Sequence, residues 1–171
     1  MHRQRAFRER RARRATAHHE AGHAVMAWAL GLTVKFASIE RPGHSLGHVE
    51  IDVPRWVRRR SSMDDSVRTW AGANIMAQMS GFITERRYRG RANHIGAFAD
   101  YLSTDDMASV LTFSAEERDL FLDWLYARTR ALMRQRTARA AVTAVARALL
   151  QKERLSGRAI ARIACKAVRD C

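Results

Sequence analysis

The amino-acid sequence predicts a mainly α-helical fold with one small β-hairpin. Its 171 residues, of which 47% are hydrophobic, are enough for one domain with a sizeable core. Through most of the chain the apolar residues recur at the spacing of one helix face, and strand-like alternation is confined to two short stretches. We therefore expect a basic N-terminal arm at residues 1–15 and a single domain at residues 16–171.

The first half of the domain is expected to hold two helices around the hairpin. Thr16 is a typical N-cap, Gly31 is a typical helix-ending residue, and Ser62 with the two following aspartates is a helix-start signature. Alternating apolar and polar residues mark the strands, and Pro and Gly mark the turn between them. The predicted elements are a helix at residues 16–30, strands at 34–40 and 46–51 around a turn at 41–45, a loop at 54–62, and a helix that ends near residue 87.

The second half is expected to be helical after a loop at residues 90–99. Asp100 would open a helix that continues through Leu111, and Ser114 with Glu117 would form a capping box for a longer one. Two more helices are predicted at residues 138–151 and 157–168. Helical spacing assigns to the core Val67, Ala71, Ile75, Met79, Phe82, Leu120, Phe121, Trp124, Leu125, Leu132 and Met133.

Positive charge dominates the chain, with a net charge of +14. Seven of the first 14 residues are arginines, and a second arginine cluster surrounds Trp56. Such clusters can bind nucleic acid, an anionic lipid surface or an acidic partner protein. Arginine also outnumbers lysine throughout, so a solvated, arginine-rich surface explains the same pattern equally well.

Several classes of protein are disfavoured by composition. Cys165 and Cys171 make neither a disulfide framework nor a zinc knuckle, so we expect a reducing, cytoplasmic compartment. No apolar run approaches the roughly 18 residues of a membrane span, so no transmembrane segment is expected. The phosphate-binding pattern G-x-x-x-x-G-K-[ST] does not occur, so ATP hydrolysis by a P-loop mechanism is not expected.

Residues 19–23 have the spacing H-E-x-x-H. On a helix, residues four apart share a face, so His19 and His23 can both bind one ion. Two imidazoles at this spacing favour Zn²⁺, and a zinc-bound water loses a proton near neutral pH. Glu20 lies beside that face and can act as the general base for this water. The alternative interpretation is a surface helix with incidental histidines.

A catalytic zinc site needs a third protein ligand besides the two histidines. Asp100 is the best candidate by sequence, because it follows the small residues Gly96 and Ala97 and is expected to open a helix. His44, His48 and His94 are weaker candidates. The carboxylate candidates are Glu85, Asp100, Asp105 and Asp106.

Four stretches in order resemble the peptidase domain of the FtsH-type AAA+ zinc metallopeptidases. The motif helix at residues 17–25 matches first, and residues 39–48 look like the hairpin of that family. Residues 79–86 look like its small-residue helix that ends in a glutamate, with Thr84 where the family usually has alanine. Residues 96–100 look like its G-A-x-x-D segment. The resemblance covers residues 16–112, and it implies a zincin-like zinc metallopeptidase domain with a helical C-terminal region.

The resemblance also implies a role for each site residue. His19, His23 and Asp100 would bind zinc, Glu20 would be the general base, and Glu85 would orient a ligand histidine through its other ring nitrogen. The hairpin would hold an extended peptide by edge pairing. Since neither the ATPase module nor the membrane anchor of the family is recognisable, we expect a stand-alone endopeptidase. It would cleave unfolded protein or peptide substrates and would need a separate AAA+ ATPase for folded ones.

Two other functions stay open on the sequence alone. A catalytically weak or inactive FtsH-like adaptor would use the same fold to bind metal together with an ATPase or a protein substrate. A nucleic-acid-associated protein would instead use its arginine-rich arm. The sequence does not determine the oligomeric state, the substrate or the cleavage preference.

Overall fold

Helices form most of the structure, a computed structural model that describes the backbone of residues 2–40, 47–90 and 94–171. Side chains are described for residues 4–40, 47–90 and 100–171. The predicted turn at residues 41–45 lies outside these ranges. The elements in chain order are α1 (His2–Ala29), β1 (Val34–Ser38), β2 (His48–Ile51), α2 (Arg55–Arg59), α3 (Asp65–Arg89), α4 (His94–Ser109), α5 (Ala115–Arg134), α6 (Arg136–Lys152), β3 (Arg154–Ser156) and α7 (Gly157–Arg169).

Helix α1 runs through the predicted boundary between arm and domain. The predicted N-cap at Thr16 is wrong, because its hydroxyl donates to the carbonyl of Ala12 within the helix at 3.2 Å. Arginine and alanine are strong helix formers, which explains why the arm continues the helix. The predicted end is confirmed, since Gly31 has a φ of +76° and Leu32 N donates to the Ala27 carbonyl.

The three strands form an antiparallel sheet in the order β2-β1-β3. The predicted hairpin is present as β1 and β2, and both strands are shorter than expected. The third strand was not predicted, because its three residues include a single apolar side chain, Leu155, and show no alternation to detect. Gly157 is needed directly after this strand, since a Cβ there would overlap the carbonyl of Val34.

Helices α3 and α4 both begin at other residues than predicted: the helix-start signature at Ser62 lies outside α3, which is capped by Asp64. The residues predicted as a loop before α3 include α2, a short helix with no buried residue. Helix α3 itself begins after Asp64, whose carboxylate accepts from Ser66 N, and ends at Gly90 in the left-handed conformation. Helix α4 begins at His94, so Asp100 lies inside a helix and does not open one. Gly96, which favoured a loop in the sequence, therefore lies inside α4. One glycine costs a helix only about 1 kcal/mol relative to alanine, and packing of α4 against α3 and α5 overrides that cost.

The core lies where α1 packs against α3 and α6, and α5 and α7 add buried side chains to it. The predicted core positions Val67, Ala71, Ile75 and Met79 are buried in α3. On α5 the prediction is wrong for Leu120 and Trp124, which are 64% and 58% exposed, because the buried face of this helix is formed by Leu122, Leu125, Thr129 and Met133.

The C-terminal half keeps the predicted helix signals. Ser114 caps α5 by accepting from Glu117 N at 3.1 Å, and the Glu117 carboxylate accepts from Phe113 N at 2.7 Å. Helices α6 and α7 lie where they were predicted. Within the described ranges, no helix is both long enough and apolar enough to cross a bilayer.

Candidate metal centre

Two glycines let α1 and α3 approach each other closely at the centre of the molecule. A Cβ at Gly22 of α1 would lie 2.7 Å from the Ser80 carbonyl of α3, closer than real Cβ contacts. A Cβ at Gly81 of α3 would overlap the imidazole ring of His23. Because Gly81 has no side chain, the rings of His19 and His23 have room beside α3.

His19, His23 and Asp100 are brought together in that space. The Nε2 atoms of the two rings are 2.9 Å apart, as expected for histidines four residues apart on one helix face. Asp100 Oδ2 lies 3.2 Å from Nε2 of His19 and 3.5 Å from Nε2 of His23. Both histidines are buried, with 9% and 6% exposure. Asp100 arrives from α4, so three ligand atoms from two helices face one point.

The Nδ1 atom of each histidine ring already has a hydrogen-bond partner. His23 Nδ1 lies 2.8 Å from the carbonyl oxygen of Ala77, which can only accept, so this nitrogen carries the proton. His19 Nδ1 lies 3.2 Å from Glu85 Oε2, again an acceptor when the carboxylate is ionised. In the neutral rings both Nε2 atoms therefore present lone pairs towards each other and towards Asp100.

This arrangement of acceptors fits a bound cation. Asp100 Oδ2 is buried and makes no hydrogen bond of acceptable geometry with any described residue. Two imidazole lone pairs and a carboxylate oxygen would repel one another unless a proton or a metal ion lay between them. The donor set of two nitrogens and one oxygen is one that metal ions bind, so these residues fit a metal ion.

The pKa values of His19 and Asp100 reflect how close these charged groups lie to each other. Burial disfavours the charged form of His19, but the carboxylates of Asp100 and Glu85 outweigh it and raise the pKa of His19 to about 10. Burial also opposes ionisation of Asp100, yet the two imidazoles hold its pKa well below the ordinary value. The site therefore keeps negative charge on Asp100 and attracts positive charge to the point between the rings.

Glu20 is buried next to this point, with 5% exposure. Burial raises its pKa above the ordinary value, although the two imidazoles act in the opposite direction. A Cβ at Gly47, just before β2, would overlap the Glu20 carboxylate. The chain entering the edge strand β2 therefore passes directly against this carboxylate.

Both carboxylate oxygens of Glu85 have a hydrogen-bond partner. Oε2 faces His19 Nδ1, and Oε1 accepts from Arg89 at 2.9 Å. His19 and Arg89 together hold the pKa of Glu85 below its ordinary value, against the effect of burial. Sequence reasoning found Glu85 and missed Arg89 and Gly81. The spacing of four residues between Glu85 and Arg89 was a signal for their ion pair.

The remaining candidates are not part of the cluster. Asp105 lies 3.2 Å from Arg118 Nε, His18 stacks on Tyr88, and His48 contacts Phe36 edge-on. Asp106 is likewise outside the group of converging ligand atoms. The side chains of His44 and His94 lie outside the described residues.

No protein-family model matches this chain, and no curated protein matches it. A functional assignment therefore depends on the geometry of the His19, His23 and Asp100 cluster.

Proposed function

We propose that this chain is a zinc-dependent endopeptidase of the FtsH-like class. The observation that carries the proposal is the convergence of His19 Nε2, His23 Nε2 and Asp100 Oδ2 beside the buried carboxylate of Glu20. Three protein ligands with a nearby unligated glutamate are typical of hydrolytic zinc sites, whereas structural zinc sites use four protein ligands.

Zinc supplies two kinds of chemistry when bound, polarising the scissile carbonyl and lowering the pKa of the attacking water. His19, His23 and Asp100 would hold the ion. Glu85 and the Ala77 carbonyl each fix one imidazole by accepting from Nδ1, so that Nε2 stays available as the ligand atom. Arg89 in turn fixes the Glu85 carboxylate.

Glu20 moves the proton. It accepts one from the attacking water and delivers it to the leaving amine, which needs a carboxylate whose pKa is closer to neutral than that of an exposed glutamate. Burial of Glu20 shifts its pKa in this direction.

Strand β2 offers the substrate a place to bind. It is an edge strand that pairs with β1 on one side, and it follows the segment that contacts Glu20. An extended peptide that pairs with this edge would lie beside the general base. This mode suits unfolded polypeptide, and folded substrates would need a separate AAA+ ATPase to unfold them.

The test combines zinc analysis with cleavage of an unfolded protein such as casein. The wild type should carry one zinc per chain and cleave. Glu20→Gln should keep the zinc and lose about 10²–10⁴-fold in rate. Glu116→Gln removes the same charge at an exposed position and should leave the rate unchanged.

The outcomes separate the alternatives. Wild-type turnover in Glu20→Gln, with zinc still bound, would remove Glu20 from the mechanism. Stoichiometric zinc without any cleavage by the wild type would favour the metal-binding adaptor. Cleavage that persists after complete zinc removal would contradict the proposal.

A further inference from the structure

A second concave surface lies against another face of the motif helix α1. An open cleft of about 920 Å³ runs between α1, α3, α5 and α6. His18 contributes to its wall, and residues adjacent on a helix point about 100° apart. The cleft is therefore separate from the metal centre that His19 faces. We call it the arginine cleft, because its lining includes Arg86, Arg87, Arg130, Arg134 and Arg139.

Within the part of the chain that the structure describes, no carboxylate neutralises the positive charge of this cleft. Among the described residues that line it, none is Asp or Glu. Other arginines of the chain do pair with carboxylates, as Arg13 does with Glu153 and Arg60 with Asp64. For the five cleft arginines, no ion pair is found within the described ranges.

The five cleft arginines are exposed and belong to different helices. They come from three helices, α3, α5 and α6, so they surround the space rather than form one exposed stripe. Arg130 is held over the ring of Tyr126 at 5.5 Å, which preorganises it. Tyr88 stacks on His18 and supports the same wall.

We propose that the arginine cleft binds a small anion that carries several phosphate groups. Guanidinium groups bind phosphate oxygens bidentately. Five arginines carry more positive charge than one carboxylate or one phosphate group would balance, so a ligand with several phosphate groups fits better. The volume falls within the range of small-molecule sites, about 300–1,000 Å³, which favours a compact ligand over a long polymer strand. This binding does not depend on zinc or on peptidase activity.

The test is isothermal titration of the full chain with inorganic tripolyphosphate in about 0.15 M salt. The wild type should bind one equivalent. Arg87→Gln combined with Arg134→Gln, which changes two walls of the cleft, should weaken binding by at least about tenfold. The control is Arg58→Gln with Arg59→Gln on the exposed helix α2, which removes the same charge elsewhere and should change affinity less than about twofold.

Tripolyphosphate also binds zinc ions, so the titration is repeated on zinc-depleted protein. A loss of affinity that follows the cleft arginines in both preparations cannot come from chelation. Equal weakening by the two double variants, or no binding at millimolar ligand, would overturn the proposal. Tighter binding of citrate would overturn the choice of phosphate, and tighter binding of a single-stranded oligonucleotide would show that the cleft serves a nucleic-acid strand instead.

Discussion

Two imidazole nitrogens 2.9 Å apart, with a buried carboxylate oxygen 3.2 Å from one of them, are a costly arrangement for a protein to maintain. The cost is relieved when a proton or a metal ion lies between them. At the scale of single residues, the proposed metal site therefore depends on which nitrogen of each ring is already hydrogen-bonded. The acceptors that decide this are Glu85 and the Ala77 carbonyl.

The first prediction distinguishes the proposed metal ligand, Asp100, from the carboxylate that orients His19, Glu85. Asp100→Ala should abolish stoichiometric zinc binding, because it removes one of three ligand atoms. Glu85→Ala should weaken zinc binding by about 10–100-fold, because it removes only the acceptor that orients His19. Zinc content and affinity measured for both variants check this. Full zinc in Asp100→Ala together with metal-free Glu85→Ala would reverse the two roles.

The second prediction concerns the space beside the rings. Gly81→Ala should eliminate zinc binding, because the added Cβ overlaps the His23 ring. Gly72→Ala on the same helix is the matched control, since its Cβ would meet no atom closer than 3.9 Å. That variant should keep its zinc and gain about 0.5–1 kcal/mol of stability from the better helix former. Retained zinc in Gly81→Ala would show that the helices can separate without loss of the site.

At the scale of elements, the sequence was informative where one residue type decides the local conformation. Gly31 ends α1 and Ser114 caps α5 as predicted, because positive φ and a side-chain cap are local properties. The start of α4 and the strand β3 were not predictable in this way. Their conformations depend on packing against α3 and on pairing with β1, which no local pattern encodes.

The third prediction concerns α1. Removing residues 1–14, so that the chain starts at Ala15, deletes the exposed first turns and the Arg13–Glu153 ion pair. An exposed pair contributes about 0–1 kcal/mol, so the melting temperature should fall by no more than about 4 °C. Thermal unfolding of the shortened and full-length chains measures this. A larger fall, not reproduced by Arg13→Gln alone, would mean that the helical arm supports the domain by more than this contact.

At the scale of the whole molecule, the site residues come from separate parts of the chain. The H-E-x-x-H spacing predicts that His19 and His23 share one helix face with Glu20 beside it, because all three lie on one helix. Asp100 does lie close to the two histidines, although the predicted helix start at this residue is wrong. The role of Gly81 could not be predicted from the sequence, because it depends on how α3 packs against α1.

The fourth prediction concerns zinc removal. The ion would connect α1 with α4, which are distant in sequence, so chelation should destabilise the fold. At a free zinc concentration 100 times Kd, binding contributes about 2.7 kcal/mol, equivalent to roughly 5–11 °C in melting temperature for a domain of this size. Calorimetry with and without a chelator measures the shift. Asp100→Ala is the control and should not respond, and an equal response in both proteins would place the metal effect elsewhere.

The missing side chain at Gly81 matters for any chain that carries the H-E-x-x-H motif on a helix packed in this way. The H-E-x-x-H motif on α1 provides ligand atoms, but the room for an ion is provided by α3. In a chain that retained both histidines, the glutamate and the aspartate, a larger residue at the position of Gly81 would displace the His23 ring. The motif alone would then not predict metal binding, because the space for its rings depends on a second helix.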